Sequence, residues 1–325
     1  MINNKLSIIQ QPVQSELKQF NQVFKETLKS DLRLVDYIIK FILKQKGKKI
    51  RPLLVLLSAR VSGEATKRSY RGAALVELLH TATLVHDDVV DEAEKRRGFP
   101  SLNNIWGNKI SVLMGDFLLS KGLMIAVDNE DHDFLKLITD TVKRMSEGEL
   151  LQIYKTKKLD IDEATYLKII SDKTASLLST CCTIGAMSST NSLDKINALR
   201  NYGEYLGMAF QIKDDILDFT GTKKIGKPLG GDIKEKKLTL PIIHTLAKEN
   251  KSSVSEIMKI IRKGEKESKL KDIIELVISN GGIEYSLEAA HNYSEKAKLC
   301  LDVFEDTDYK KSLLSLVDYV IERDK

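Results

Sequence analysis

Two aspartate triplets of identical spacing, Asp87-Asp88-Val89-Val90-Asp91 and Asp214-Asp215-Ile216-Leu217-Asp218, lie inside otherwise apolar stretches with a helical pattern. At about 100° per residue the first and last carboxylates of each triplet share a helix face, where like charges repel. Such a placement is stable only if something cationic answers it. Oxygen-only clusters suit hard cations, and Mg2+ in particular takes one or two carboxylates, keeps waters and completes its shell with substrate phosphates. The two triplets therefore read as a pair of metal-diphosphate clamps, with Asp87, Asp88, Asp91, Asp214, Asp215 and Asp218 as the expected metal ligands. One triplet alone is more often a solvated helix face. Here both follow apolar runs, Leu78, Leu79, Leu84 and Val85 before the first and Leu206, Met208, Phe210 and Ile212 before the second. That context favours buried helices whose polar ends face a cavity.

A diphosphate held by metals also needs cationic neighbours. Gly47-Lys48-Lys49-Ile50-Arg51-Pro52 sets Lys48 and Arg51 three apart at an expected helix start, where free N–H groups and the dipole favour anions and Pro52 fits the first turn. Arg96-Arg97 follows the first triplet, and arginine forks match phosphate oxygens bidentately. His80 and His86 are six apart, off the rows that would let one helix face chelate a metal, so zinc is not expected. His80 is read as a hydrogen-bond donor to a phosphate, and His86 equally as a buried structural histidine. Lys173-Thr174, Gln211 and the glycine-rich segment from Gly226 through Lys227 to Asp232, leading to Lys237, complete the polar inventory.

The elements that must position these groups read as helices throughout. Only five prolines occur, at 12, 52, 100, 228 and 241, and strand-like alternation is hard to find. Helices are expected to break near Lys46-Gly47, Ser62-Gly63, 97–101, 129–131, 157–162, 188–191, 221–231 and 280–282, giving ten or so. With no linker or shift of composition, residues 1–325 read as a single all-α domain. The 325 residues are 42% hydrophobic and 30% charged, ordinary for a globular chain that buries a core. A net charge of +5 comes from dispersed lysines with no aromatic-interleaved basic module, so nucleic acid is not an expected partner. No uncharged run approaches the roughly 20 residues of a membrane span, and Met1 to Phe20 lacks a secretory pattern. Three cysteines, Cys181, Cys182 and Cys300, have no zinc or redox spacing. A cytoplasmic setting with no transmembrane anchor is the expectation.

In order, Gly47-Lys48-x-x-Arg51-Pro52, Leu79-His80 through Asp91, Arg96-Arg97-Gly98, Gly115-Asp116, Gly148-Glu149-x-x-Gln152, Lys173-Thr174-Ala175, Phe210-Gln211-x-x-Asp214-Asp215-x-x-Asp218, Gly226-Lys227 and Lys237-x-Thr239-Leu240-Pro241 resemble the trans-polyprenyl diphosphate synthases. The resemblance spans most of the chain, and it departs from the family where Lys46-Gly47-Lys48 stands in place of the usual Gly-Gly-Lys. It implies an all-α helical bundle of the isoprenoid synthase type around a deep central cavity, usually a homodimer. It also implies that the six aspartates bind several Mg2+ on an allylic diphosphate. Arg96, Lys173, Thr174, Gln211, Lys227 and Lys237 would contact that diphosphate, and Lys48, Arg51, His80 and Arg97 would hold isopentenyl diphosphate. Asp87, Asp88, Asp91, Lys173, Gln211 and Asp214 are the expected catalytic set.

The expected chemistry needs no side-chain nucleophile. Metals and lysines stabilise charge on a departing diphosphate, the allylic C–O bond ionises, and an apolar cavity protects the carbocation until the double bond of isopentenyl diphosphate attacks. The positions four and five before Asp87 are Thr83 and Ala82, both small, where short-product relatives tend to carry an aromatic. One helical turn of about 5.4 Å is comparable to an isoprene unit, so the absence of a plug there predicts a medium-to-long product. The alternatives are a short-chain farnesyl or geranylgeranyl diphosphate synthase, or a non-catalytic lipid-binding subunit of a heteromeric synthase. A terpene cyclase would want more than 6% aromatic residues, and an HD-type phosphohydrolase leaves the second triplet unexplained.

Overall fold

The computed structural model describes residues 2–44, 47–96, 98–220, 230–264 and 267–323. Among them are sixteen α-helices: α1 (Ile2–Gln10), α2 (Gln14–Thr27), α3 (Arg33–Lys44), α4 (Ile50–Ser62), α5 (Lys67–Val90), α6 (Leu102–Asp128), α7 (His132–Lys158), α8 (Glu163–Ile170), α9 (Ser176–Met187), α10 (Leu193–Thr220), α11 (Gly231–Lys234), α12 (Leu240–Lys248), α13 (Lys251–Lys263), α14 (Glu267–Ser279), α15 (Gly282–Leu299) and α16 (Asp308–Glu322). The all-α expectation holds, with one small exception. After α5 the chain makes a two-residue antiparallel pair, β1 (Lys95–Arg96) and β2 (Phe99–Pro100), with Arg96 opposite Phe99. Gly98 supplies the left-handed φ of 81° that this tight reversal needs. More helices are present than expected because turns without a glycine or charge cluster also interrupt the chain, such as the 3-10 turn Gln11–Val13 around Pro12. Of the break expected over 221–231, residues 221–229 lie outside the described residues.

The architecture is built outward from α9. Its residues Ser176 to Ala186 are buried on every side, the mark of a central core helix. Small residues let its neighbours come close. A Cβ on Gly185 would stand 2.2 Å from the Val55 carbonyl of α4, and one on Gly207 of α10 would stand 2.4 Å from the Cα of Ala175, just before α9. The first hydrophobic core gathers α1 to α7, α9, the earlier part of α10 and α16 around this axis, with Phe20, Leu53, Leu57, Leu78, Phe134 and Tyr202 fully enclosed. A second core joins the latter part of α10 to α8, α12, α13, α14 and α15 through Ile212, Phe219, Ile243, Ile273 and Val277. Tyr293 and Ile321 pack against both cores.

Helix α6 bears on the expectation of no membrane span, which rests on the length of uncharged runs. It is long and apolar enough to cross a bilayer by length and composition, and only a third of its most apolar stretch is buried. Lys109, Asp116 and Lys121 break up its uncharged runs, which is why run length passes it over. One side of α6 packs on α5, with Gly122 in contact with Leu75 and Leu78. On the other, Val112, Leu113, Met124 and Val127 are exposed.

Between α8 and α9 the chain does not stay α-helical. Ser171–Ala175 forms a π-helical turn, and wider turns of this kind inside helices recur at functional sites. This one carries Lys173 and Thr174. It is braced by Arg144 of α7, which donates to Asp172 at 3.0 Å, to the Ser171 hydroxyl at 3.0 Å and to Glu204 of α10 at 3.2 Å. Lys168 adds a bond to Asp172 at 2.7 Å.

Candidate functional site

Both aspartate triplets sit at the C-terminal ends of long helices, α5 and α10. The carbonyl end of a helix carries the negative pole of the macrodipole, which disfavours anions there. Three carboxylates at each such end add to that unfavourable potential, so the arrangement asks for a cation more strongly than spacing alone implies.

In the first triplet, Asp87 and Asp91 are exposed while Asp88 is only 4% exposed. The β1 strand brings Arg96 back onto it, its Nε donating to Asp88 Oδ1 at 2.6 Å. Arg96, expected on a diphosphate, is thus engaged with a carboxylate of the triplet. Although Asp87 reaches water, the protein packed around it desolvates its carboxyl and raises it above its ordinary range; Lys173 opposes this, while Glu149 and Asp91 reinforce it.

In the second triplet the central residue is again the buried one. Asp215 is 5% exposed. Tyr166 OH of α8 donates to its Oδ2 at 2.6 Å, Gln211 Nε2 donates to its Oδ1 at 2.8 Å, and Thr174 Oγ1 donates to Gln211 Oε1 at 2.8 Å. Burial first, then the charge of Asp232, pushes the Asp215 carboxyl up to about 8. Asp232 itself is raised to about 6 by burial and by Asp218. Asp218 accepts the N–H groups of Gly231 and Asp232, both at 3.0 Å, and so caps α11. Asp214, 56% exposed at its side chain, accepts from Arg323 Nη2 at 3.1 Å, and the same guanidinium donates to the Phe210 carbonyl at 2.9 Å and lies over the Phe210 ring.

Lys173, Thr174, Gln211, Asp215 and Lys237 line one cavity of about 100 Å3, together with Gln152, Tyr166, Asp232 and Thr239 and an apolar side made of Ile161, Ile169, Ile170 and Leu238. At about 10–15 Å3 per water, it takes a compact polar headgroup. Lys173 donates to Gln152 at 2.7 Å and pairs with Glu149 of α7. Lys237 pairs with Glu235 at 2.6 Å; its burial is outweighed by Glu235, Asp232 and Asp91, which raise its pKa. Lys173 acts on Asp87 and Lys237 on Asp91, so the charges of both triplets meet at this chamber.

The other expected residues fall elsewhere. Lys48 Nζ lies 5.7 Å from the centre of the Tyr319 ring. Arg51 stands in the first turn of α4, as Pro52 predicts, and His80 is half-buried on α5; none of these three lines the cavity. Arg97 and Lys227 lie outside the described residues. His86 Nε2 faces the Val112 carbonyl at 3.2 Å and Asp116 at 3.4 Å on α6, beside Gly115, a helix-packing role. Ala82 is 1% exposed within the first core, and the Thr83 hydroxyl turns back to the His80 carbonyl at 2.9 Å. Neither lines the cavity. Tyr166 and Arg323 were not expected, and Asp232 was named only as the end of the glycine-rich segment. Tyr166 precedes Lys173 by seven residues, two helical turns, a spacing that marks a shared face.

Among the described residues no three His, Cys, Asp or Glu side chains converge to hold an ion by themselves, so the cage of six carboxylates suggested by the paired triplets is not preassembled. The donor set nonetheless fits a hard cation. Its open carboxylates are oxygen donors, Asp215 and Asp232 are destabilised by their neighbours, and the buried Thr239 Oγ1 beside them has no hydrogen-bond partner.

The Polyprenyl synthetase family model matches residues 33–277. The chain belongs to the polyprenyl synthetase family. Its relatives in that family include the octaprenyl diphosphate synthase of Haemophilus influenzae, 32% identical over 97% of this chain and 96% of that protein. A short chain isoprenyl diphosphate synthase of Methanothermobacter thermautotrophicus is 35% identical over 86% and 87%. The polyprenyl synthase of Caulobacter crescentus, solved as a complex with calcium and isoprenyl diphosphate, superimposes with a TM-score of 0.91 at 32% identity, covering 98% of each chain. The trans-prenyltransferase class expected from the motifs of this polyprenyl synthetase is borne out.

The raised Asp215 carboxyl has a signed consequence for stability. Its folded value of about 8 exceeds the ordinary carboxylate value of about 3.9, so the folded chain binds the proton more tightly than the unfolded one. That contribution is whole below about pH 4 and is lost as pH rises through about 8. Without divalent cations, the urea midpoint is expected to fall between about pH 5 and pH 8. Asp215→Asn should flatten the fall, and an equal slope in both proteins would count against the assignment.

Proposed function

We propose that this chain condenses isopentenyl diphosphate head-to-tail onto an allylic diphosphate and releases a medium-to-long all-trans polyprenyl diphosphate. The observation that carries the reading is the chamber in which Lys173, Thr174, Gln211, Asp215 and Lys237 meet, with the charges of both triplets bearing on it. Mg2+, held by Asp87, Asp91 and Asp214 as the open carboxylates and by the more enclosed Asp88, Asp215 and Asp218, would neutralise charge on the allylic diphosphate as its C–O bond breaks.

The protein's own groups supply the rest. Lys173 and Lys237 place fixed positive charge where the leaving diphosphate gathers negative charge. Thr174 and Gln211 orient it by hydrogen bonds, and Ile161, Ile169, Ile170 and Leu238 keep water from the chamber. Lys48, Arg51 and His80, with Arg97, would hold isopentenyl diphosphate at the start of α4. The residue before that helix, Lys49, makes no side-chain cap, which leaves its first N–H groups available to an anion. The intact triplets argue against a non-catalytic lipid-binding subunit.

A long product is supported by the lack of an aromatic at Ala82 and Thr83 and by the octaprenyl relative. We also propose a homodimer formed on the exposed apolar side of α6, where Val112, Leu113, Met124 and Val127 would otherwise face water. A cytoplasmic setting is supported by three free thiols, two of them buried.

Purified protein given labelled isopentenyl diphosphate, each allylic primer and Mg2+ should elongate the primer, and the Asp88→Asn/Asp215→Asn double variant should lose at least about 100-fold in rate, as expected when preorganised charge groups are removed. Full-speed elongation by the double variant would remove the basis of the reading. For length, Thr83→Phe is a cleaner plug than Ala82→Phe, because Ala82 is enclosed and an added ring there must displace its neighbours. Thr83→Phe is expected to shorten the dephosphorylated product on chromatography, and an unshifted profile would reject the floor. Light scattering should give twice the 36.6 kDa chain mass, and Leu113→Glu should halve it; a monomeric wild type would dismiss the dimer.

A further inference from the structure

The second triplet differs from the first in how its central carboxylate is held. Asp88 is met by the guanidinium of Arg96. Among the described residues, the hydrogen bonds to Asp215 come from neutral donors, one on each oxygen: Gln211, one turn earlier on the same helix, and Tyr166, which reaches in from α8. Gln211 belongs to α10 and turns with it, so it does not fix that helix against its surroundings. Tyr166 does. Its ring is packed in the second core, 3% exposed, and its hydroxyl reaches into the chamber lining.

The same stretch of chain delivers Lys173 and Thr174. Two turns after Tyr166 the π turn widens the helix and presents both residues to the cavity that Tyr166 also lines. Thr174 then closes on Gln211. Tyr166, Asp215, Gln211 and Thr174 thus form one hydrogen-bonded circuit between α8 with its π turn and α10, and Tyr166 is the member with a rigid, fully packed body.

We propose that Tyr166 is a positioning residue for the second triplet, its hydroxyl fixing the orientation of Asp215 and through it the face that α10 turns to a cation-bound diphosphate. The proposal rests on the reading of the chamber given above. Tyr166 touches no reacting atom and acts through Asp215. Removing an outer partner of a ligating carboxylate typically weakens metal binding on the order of ten-fold or more. A purely structural tyrosine would instead lower thermal stability and leave cation dependence unchanged.

Tyr166→Phe keeps the ring and deletes the hydroxyl. Binding of Mg2+ with inorganic pyrophosphate, followed by titration calorimetry, is expected to weaken about ten-fold in this variant, and the Mg2+ concentration for half-maximal elongation should rise with it, with saturating Mg2+ restoring most of the rate. In the Asp215→Asn background, adding Tyr166→Phe should cost nothing further, because its route of action is already cut. Wild-type Mg2+-pyrophosphate affinity in Tyr166→Phe, losses that add fully in the double variant, or a variant that does not fold would each overturn the proposal. A wild-type protein that binds no Mg2+-pyrophosphate would instead defeat the reading of the chamber itself.

Discussion

The structure depends on carboxylates buried where a helix end is already negative. An ion taken out of water costs several kcal/mol even after relaxation, and the C-terminal dipole adds to that cost. Asp88 and Asp215 are both nearly enclosed in such positions. The first is offset by the charge of Arg96, while the second is stabilised by hydrogen bonds from Tyr166 and Gln211, with Asp232 working against it. The two acidic walls are therefore not equivalent. The side of Asp215 keeps an unmet negative potential, to which Asp232 and Asp214 add, and which a divalent cation would satisfy.

Holding that potential in place requires a stiff frame. The enclosed helix α9, the close approaches at Gly185 and Gly207, and the Arg144 brace across Ser171, Asp172 and Glu204 leave little freedom for α10 or the π turn to shift. Electrostatic preorganisation of this kind stabilises developing charge without reorganisation at the moment of reaction. Arg323 extends the frame to the end of α16, pinning Asp214 and the Phe210 carbonyl together.

Much of this was legible in the sequence wherever a local pattern carried it. The triplets, Lys173-Thr174, Gln211 and Lys237 stand out because polar residues interrupt apolar helical periods, and Pro52 marks the start of α4. What was not legible depends on tertiary contact. Tyr166 looks like any core aromatic until its hydroxyl meets Asp215, 49 residues away, and Arg323 meets Asp214 across 109 residues. The pairing of Arg96 with Asp88 was not legible either, because a two-residue strand pair folds it back onto that carboxylate. The small size of Ala82 reads equally as a cavity floor or as close packing, and only its tertiary surroundings, enclosed in the first core, show what it packs against.

The π turn also has a meaning for how this chain can change. A five-residue turn of that width is the trace of one residue more than a regular helix would hold. Deleting a residue between Ser171 and Ala175 would restore an ideal α-helix from Glu163 to Met187, improve local backbone regularity, and rotate Lys173 and Thr174 away from the chamber. The locally more regular helix would thus be the functionally poorer one.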